Sequence, residues 1–248
     1  MKGEIEFDHV SFAYPEAGEN VLTDISFKAK KGQTIAVIGS TGSGKSTLIN
    51  LIPRYYDVTK GSVKVDGVDV RDMTQKELRD KLGYVPQKGV LFSGTIDSNI
   101  RYGKPEITDA QVKEAAEVAQ ATEFIDTKPE KYESPVSQGG TNVSGGQKQR
   151  LSIARAIAKN PEIFIFDDSF SALDFKTDSQ LRKALKEYTK DATTVIVAQR
   201  ISTILGADQI IVLDDGHMAG IGTHKELMAN CEVYQQIARS QLSEEELA

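Results

Sequence analysis

A glycine-rich stretch, Gly39–Thr47, constrains the fold of this chain more than any other feature of its sequence. It reads G-S-T-G-S-G-K-S-T, which fits the phosphate-binding pattern G-x-x-x-x-G-K-[ST]. An apolar run, Thr34–Ile38, precedes it, and an apolar helix start follows at Leu48. Glycines let backbone N–H groups converge on phosphates, and a helix that begins there directs its positive end toward them. The order of strand, loop and helix therefore predicts a P-loop, the phosphate-binding loop of nucleotide-binding α/β proteins.

Two further residue types at this loop fit the chemistry of a nucleoside triphosphate. Lys45 can reach the β- and γ-phosphates, and the hydroxyl of Ser46 can ligate Mg²⁺. A second apolar strand, Ile163–Phe166, ends in Asp167, whose carboxylate also suits Mg²⁺. We predict that the nucleotide contacts the whole loop: Gly39, Ser40, Thr41, Gly42, Ser43, Gly44, Lys45, Ser46 and Thr47. A P-loop alone does not distinguish a kinase, a GTPase, a helicase and a transporter.

The hydrophobic pattern predicts two kinds of strand. Residues 1 to ~30 and Ser62–Val70 alternate apolar with polar side chains, and Asp66-Gly67 is a hairpin turn pair, so these segments are predicted to be antiparallel. Continuous apolar runs instead indicate parallel strands that are covered on both faces. Four such runs are present: Thr34–Ile38, Ile163–Phe166, Val195–Ala198 and Ile210–Leu213.

Helical patterns lie between these runs. Thr108-x-x-Gln111 resembles a capping box, and from about residue 94 to residue 160 the pattern is almost wholly helical. We therefore predict an α/β fold of the P-loop NTPase (RecA-like) class with a parallel core sheet, an antiparallel β edge subdomain and an inserted α-helical subdomain. The predicted boundaries are 1–93 and 161–248 for the core and 94–160 for the helical subdomain.

Composition excludes several classes of protein. The net charge of −6 argues against an extended nucleic-acid surface, so no nucleic-acid partner is predicted. The apolar runs are far shorter than the ~20 residues that span a bilayer, so work at a membrane would need another segment or chain. Cys231 is the only cysteine, which rules out an intrachain disulfide. The histidines are predicted to be structural or surface residues, with His9 in a strand, His217 in a turn and His224 at a helix start.

The segment Val143–Gln147 distinguishes between the nucleotide-binding classes. Its residues Val143, Ser144, Gly145, Gly146 and Gln147 spell V-S-G-G-Q, which resembles the LSGGQ signature of ABC ATPases with Val for the leading Leu. As a local pattern it is a second anion-binding helix start, with Ser144 as the cap of a helix through Ala158. Because the signature precedes the Ile163–Phe166 strand at the family's spacing, the chain is identified as a member of the ABC ATPases.

This resemblance implies ATP as the nucleotide and gives roles to further residues. Tyr14 matches the aromatic residue that stacks on adenine. Gln87 matches the Q-loop glutamine, which ligates Mg²⁺ and senses the membrane domain. Asp174 ends the Ser171–Asp174 segment, which matches the D-loop along the dimer partner. In this family each ATP lies between the P-loop of one nucleotide-binding domain and the signature of a second.

A further resemblance concerns the branch of the family. The segments Leu91–Ile96 and Asn99–Gly103 resemble the exporter branch, in which this domain follows a membrane domain in the same polypeptide. The resemblance therefore implies a transmembrane domain as partner, in the same polypeptide or in a complex. It also implies a location at the cytoplasmic face of the cell membrane.

Two residues depart from the family's catalytic pattern. Asp168 follows Asp167 where the family usually has Glu, the base that orients the attacking water. Gln199 stands where the family usually has the switch histidine, and a glutamine cannot become a cation. The shorter carboxylate is drawn back by about 1 Å, a misplacement that can cost on the order of 100-fold in rate. The altered pair resembles the degenerate-site subunit of bacterial heterodimeric multidrug ABC exporters.

Three alternatives stay open at this stage. The chain could form a homodimer whose two sites both work with Asp168 and Gln199. It could be an ABC ATPase of DNA repair or translation, although its acidic charge and the exporter-like segments argue against this. It could also be a regulatory module that binds ATP without hydrolysing it. The transported substrate is not indicated by any feature of the sequence.

Overall fold

The computed structural model describes residues 2–247, within which the chain forms twelve strands and ten helices. The strands are β1 (Ile5–Phe12), β2 (Leu22–Ala29), β3 (Thr34–Gly39), β4 (Lys60–Val65), β5 (Val68–Asp69), β6 (Leu82–Val85), β7 (Gly94–Thr95), β8 (Pro135–Val136), β9 (Ile163–Asp167), β10 (Thr193–Val197), β11 (Gln209–Asp214) and β12 (His217–Gly222). The helices are α1 (Lys45–Asn50), α2 (Gln75–Asp80), α3 (Ile96–Ile100), α4 (Asp109–Val118), α5 (Thr122–Asp126), α6 (Gly145–Ala158), α7 (Phe175–Tyr188), α8 (His224–Asn230), α9 (Glu232–Gln241) and α10 (Glu244–Leu247). None of the helices in this range has the length and apolarity needed to cross a bilayer.

The chain divides into two compact units. The first comprises Met1–Leu82 and Ala192–Ala248, and the second comprises Gly83–Asp191. The second unit is wider than the helical subdomain predicted for residues 94–160, because it also carries β9 and most of β6. The functional boundaries at 94 and 160 remain a prediction.

A parallel sheet forms the centre of the first unit. Its strands run in the order β12-β11-β3-β10, with β3 parallel to both of its neighbours and β12 antiparallel at the edge. Ile35, Ala36, Val37 and Ile38 of β3 are all buried, which is the pattern of a strand covered on both faces. The predicted α/β class with a parallel core is confirmed.

An antiparallel sheet of order β2-β1-β4-β5 completes the strands of the first unit. Its side chains alternate between core and solvent, and Phe7 of β1 stacks on its cross-strand partner Phe27 with ring centroids 4.6 Å apart. Asp66 and Gly67 join β4 to β5 with φ angles of 52° and 80°, as a two-residue hairpin turn requires. The predicted antiparallel segment is therefore confirmed.

The carboxyl-terminal helices pack on the core of the first unit. Tyr234 of α9 is fully buried, and its hydroxyl lies 2.6 Å from Nδ1 of His224 at the start of α8. Burial lowers the pKa of His224, which favours the neutral ring. The prediction that His217 lies in a turn is wrong: it is the first residue of β12 and pairs with Asp214. The turn is made by the two preceding residues, both of which have positive φ.

The second unit contains five of the ten α-helices of the described residues, α3 to α7. α4 begins with the predicted capping box, in which Thr108 and Gln111 exchange side-chain and backbone hydrogen bonds. α6 begins at Gly145 and ends at Ala158, as the sequence predicts. Residues 94–160 are not wholly helical, because the short strands β7 and β8 pair in antiparallel fashion within them.

Helix α6 holds the segment that follows β6 by two polar side chains. Gln149 is buried to 1% exposure; its Nε2 donates to the carbonyl oxygen of Pro86 at 3.0 Å and its Oε1 accepts the N–H of Gly89 at 2.8 Å. Arg155, which lies further along α6, donates to the carbonyl oxygen of Val90 at 2.8 Å. Burial lowers the pKa of Arg155 to about 10. These hydrogen bonds therefore hold the segment 86–90 against α6.

We expect Gln149→Leu to destabilise the chain by about 1–3 kcal/mol, because it keeps the side-chain volume but removes the partner of two backbone groups. Urea unfolding gives the free-energy change. Gln180→Leu is the matched control: Gln180 is exposed on α7, and a surface change of this kind should stay within about 0.5 kcal/mol. Equal stability of the two variants would show that the Gln149 hydrogen bonds do not stabilise the fold.

Candidate functional site

The P-loop leaves β3 at a point where only glycine fits. A Cβ atom at Gly39 would lie 2.4 Å from the carbonyl oxygen of Leu213 on β11 and 2.5 Å from Oγ of Ser43. The loop then turns through Gly42 and Gly44, whose φ angles are 79° and 104°, and α1 begins at the next residue. The pattern glycines of the sequence are thus needed by the backbone itself.

Lys45 extends back across this loop. Its Nζ donates to the carbonyl oxygen of Gly39 at 2.5 Å and to that of Ser40 at 3.3 Å. Within the described residues, the buried hydroxyl of Ser43 has no hydrogen-bond partner. The ammonium group of Lys45 and the hydroxyl of Ser43, on a loop whose turns are made by glycines, fit a polyanionic ligand such as a triphosphate.

Tyr14 lies beside the helix that follows the P-loop. Its hydroxyl is 2.7 Å from Oγ1 of Thr47, and its ring packs edge-on against Phe12 and Tyr56 at centroid distances of 4.9 and 5.1 Å. The side chain is only partly buried. The structure therefore places a fixed, accessible aromatic ring next to the P-loop helix, while stacking on adenine remains a prediction.

Gln199 follows β10 at the same edge of the sheet as the P-loop. Val197 is paired with Val37, and the N–H of Ala198 donates to the carbonyl oxygen of Val37 at 3.2 Å. Parallel strands in register end at a common edge, so Gln199 lies at the level of Gly39. Its side chain is exposed.

In the second unit, the residue predicted for the Q-loop contacts Asp168, the residue predicted at the position of the catalytic base. Nε2 of Gln87 donates to Oδ2 of Asp168 at 3.2 Å. Asp168 follows Asp167, the last residue of β9, and has the left-handed φ angle of 49°. The buried hydroxyl of Ser169 donates to the carbonyl oxygen of Val85 at 2.7 Å. This hydrogen bond fixes the backbone where the chain leaves β9. The sequence did not predict this contact, because the two residues are separated by 81 positions.

The signature begins α6 with a complete capping box. Ser144 Oγ accepts the N–H of Gln147 at 3.2 Å, and the Gln147 side chain accepts the N–H of Ser144 at 3.4 Å. A Cβ at Gly145 would meet nothing within 4 Å, and at Gly146 only ordinary contacts. Val143 precedes the cap and is partly buried. Since packing within this chain does not require these two glycines, they are suited to a close approach from outside it.

Asp174 is the N-cap of α7. Its carboxylate accepts the N–H of Thr177 at 2.8 Å and the hydroxyl of the same residue at 2.9 Å. These hydrogen bonds, together with the positive charge of Arg150, lower the pKa of Asp174. The carboxylate therefore stays ionised at the helix start, with its role toward a dimer partner still a prediction.

Two buried or bridging glutamines, one in each unit, are not indicated by any motif of the sequence. Gln149 stands on the apolar stripe of α6, four positions before Ile153 and eight before Ile157, both buried. A polar residue in such a stripe signals a buried hydrogen-bond partner. Gln241 contacts the backbone at Gln199 from α9, which no local pattern indicates.

Comparison with known proteins supports the resemblance to the ABC ATPases. The sequence pattern of the ABC transporter family matches residues 22–171. A protein of Staphylococcus aureus (strain NCTC 8325) described as a multidrug export ATP-binding/permease protein is 47% identical over 236 residues, which is 95% of this chain and 41% of that protein. The corresponding protein YgaD of Bacillus subtilis (strain 168) is 48% identical over 228 residues, 92% of this chain and 39% of that protein.

A solved structure shows the same likeness in three dimensions. The structure of a bacterial Atm1-family ABC exporter with ATP bound matches with a TM-score of 0.93 at 38% identity, over 98% of this chain and 43% of that one. The chain thus spans about two fifths of the length of these relatives. The matched family pattern and the extent of these likenesses show that this chain belongs to the ABC transporter family.

Proposed function

We propose that this chain binds Mg·ATP and hydrolyses it to power substrate export by an ABC transporter. The observation that carries the proposal is the P-loop at the end of β3, where Gly39 fits only as glycine and Lys45 extends across the loop. Gln199 at the same sheet edge supports a site for a terminal phosphate. The relatives of this chain are described as export ATP-binding/permease proteins, which favours an exporter.

The proposed roles follow from the chemistry of each side chain. Lys45 donates to the β- and γ-phosphates, and the backbone of Gly39–Thr47 surrounds them. Tyr14 supplies an aromatic face for adenine. Mg²⁺, when bound, neutralises phosphate charge; the proposed ligands are Ser46, Gln87 and Asp167. Asp168 accepts a hydrogen bond from Gln87 and is the candidate base for orienting water.

The signature is proposed to act on the ATP of a second nucleotide-binding domain. Its helix start has an intact cap at Ser144, and none of the residues that the structure describes crowds Gly145. Asp174 caps the following helix and is proposed to face the same partner. A transmembrane domain, in the same polypeptide or in a complex, is the other proposed partner, which places the chain at the cytoplasmic face of the cell membrane.

The site on this chain is proposed to be slow. Asp168 is one methylene shorter than the usual glutamate, and Gln199 cannot offset phosphate charge as a cation. A heterodimer with a partner that carries the competent site fits this pattern. A homodimer with two working sites is the alternative, and the hydrogen bond that orients Asp168 favours it.

We expect Lys45→Ala to weaken ATP affinity by about 10- to 100-fold, because a charge-assisted hydrogen bond contributes about 1.5–3 kcal/mol. Isothermal titration with Mg·ATP measures the affinity, and circular dichroism checks the fold. Lys183→Ala, at an exposed position of α7, is the control and should bind as the unmutated chain does. Unchanged affinity in Lys45→Ala would contradict the assignment of the phosphate site.

We expect Asp168→Glu to raise the single-turnover rate of ATP hydrolysis, by up to about 100-fold, because the longer carboxylate reaches the attacking water. Gln199→His should raise it as well, and the two changes should not be additive since they serve one transition state. The assay uses the chain in excess over ATP. Asp191→Glu makes the same chemical change at an exposed position and should leave the rate unaltered. If Asp168→Glu is no faster than the unmutated chain, Asp168 is a competent base and the site is not degenerate.

A further inference from the structure

The side-chain amide of Gln241, the last residue of α9, bonds to the backbone on both sides of Arg200. Its Nε2 donates to the carbonyl oxygen of Gln199 at 2.7 Å, and its Oε1 accepts the N–H of Ile201 at 2.8 Å. Reversing the amide would set oxygen against oxygen and N–H against N–H, so the two partners fix its orientation. We call these two hydrogen bonds the Gln241 clamp.

The clamp acts where the chain passes from strand to turn. On one side, Ala198 donates to the carbonyl oxygen of Val37 at 3.2 Å; on the other, Ile204 donates to that of Ile201 at 2.9 Å. Gln199 lies between these contacts, with its side chain exposed at the P-loop edge. The clamp therefore fixes the carbonyl of the residue whose side chain is proposed to meet the γ-phosphate.

The amide of Gln241 is carried by a well-anchored helix. Tyr234 and Ala238 of α9 are fully buried in a cluster that also contains Ile201. Leu242 packs against the same cluster, and its N–H donates to the carbonyl oxygen of Ala238 at 2.8 Å. The end of α9 is thus a fixed support for the clamp.

We propose that Gln241 is a positioning residue for ATP hydrolysis, which acts by holding the backbone of Gln199 at the P-loop edge. The inference rests on the proposed function. The direction of a side chain follows the backbone that carries it, and a displacement of about 1 Å can cost on the order of 100-fold in rate. Substrate binding relies on the P-loop, so loss of the clamp should lower the rate of hydrolysis and leave ATP affinity unchanged.

The first test is amide hydrogen exchange, which does not depend on activity. In the ¹⁵N-labelled chain, Gln241→Ala should speed exchange at Ile201 by about 3- to 10-fold, as loss of one hydrogen bond implies. Gln241→Glu keeps an oxygen that accepts from Ile201, so it should retain protection there while losing the bond to Gln199. Gln235→Ala is the matched control, since its amide lies on the same helix and donates to Met228 instead.

The second test is single-turnover hydrolysis, run in the unmutated chain and in the faster Asp168→Glu background. Both Gln241 variants should be slower by about 3- to 10-fold, with unchanged ATP affinity, because both lose the bond to Gln199. Gln235→Ala should keep the parental rate. The loss should disappear when Gln199 is replaced by Ala, because the clamp then has no side chain to position.

The outcomes separate the clamp from the function on which it rests. Unchanged exchange at Ile201 in Gln241→Ala, or faster exchange with an unchanged hydrolysis rate, would overturn the proposal. So would an equal loss of rate in the Gln199→Ala background. Failure of the unmutated chain to bind ATP would instead reject the proposed function, and the exchange data would still show whether the clamp forms.

Discussion

The close approach of Gly39 to the carbonyl oxygen of Leu213 determines how β3 passes into the P-loop. It lets β3 end between β10 and β11 with no side chain at the strand end, so the loop can turn at once through Gly42 and Gly44. The loop then carries Lys45 back to the carbonyl of Gly39. A fold that buries β3 on both faces thus brings the backbone of the loop, Lys45 and the exposed side chain of Gln199 to one edge of the sheet.

Side-chain amides hold backbone segments in place within each of the two units. Gln149 bonds to Pro86 and Gly89, and Gln241 bonds to Gln199 and Ile201. In each case one amide both donates and accepts, so it fixes a segment at two points without adding charge. The same residue type also bonds directly to Asp168, through Gln87.

What the sequence predicts is what local rules determine. The P-loop, the capping box at Thr108, the helix start at Ser144 and the Asp66-Gly67 turn each depend on a few neighbouring residues, and the structure places all of them as predicted. The prediction of His217 in a turn is wrong because the turn consists of Asp215 and Gly216, and β12 begins at the next residue. The contacts of Gln87 and Gln241 span 81 and 42 positions, so they exist only once the fold has brought distant segments together. The need for glycine at position 145 is likewise not explained by the packing of the described residues, since a Cβ atom there would meet none of their atoms within 4 Å.

We propose that this chain supplies two separate half-sites, a P-loop for its own ATP and a signature for that of a partner. The most direct test is the Mg·ATP affinity of Ser144→Arg, measured by titration at a concentration where sedimentation shows a monomer. We expect an affinity within about twofold of the unmutated chain, since Ser144 stands at a helix start that is proposed not to bind this chain's own ATP. Loss of ATP binding by the monomeric variant would contradict it, because the signature would then belong to the same site as the P-loop.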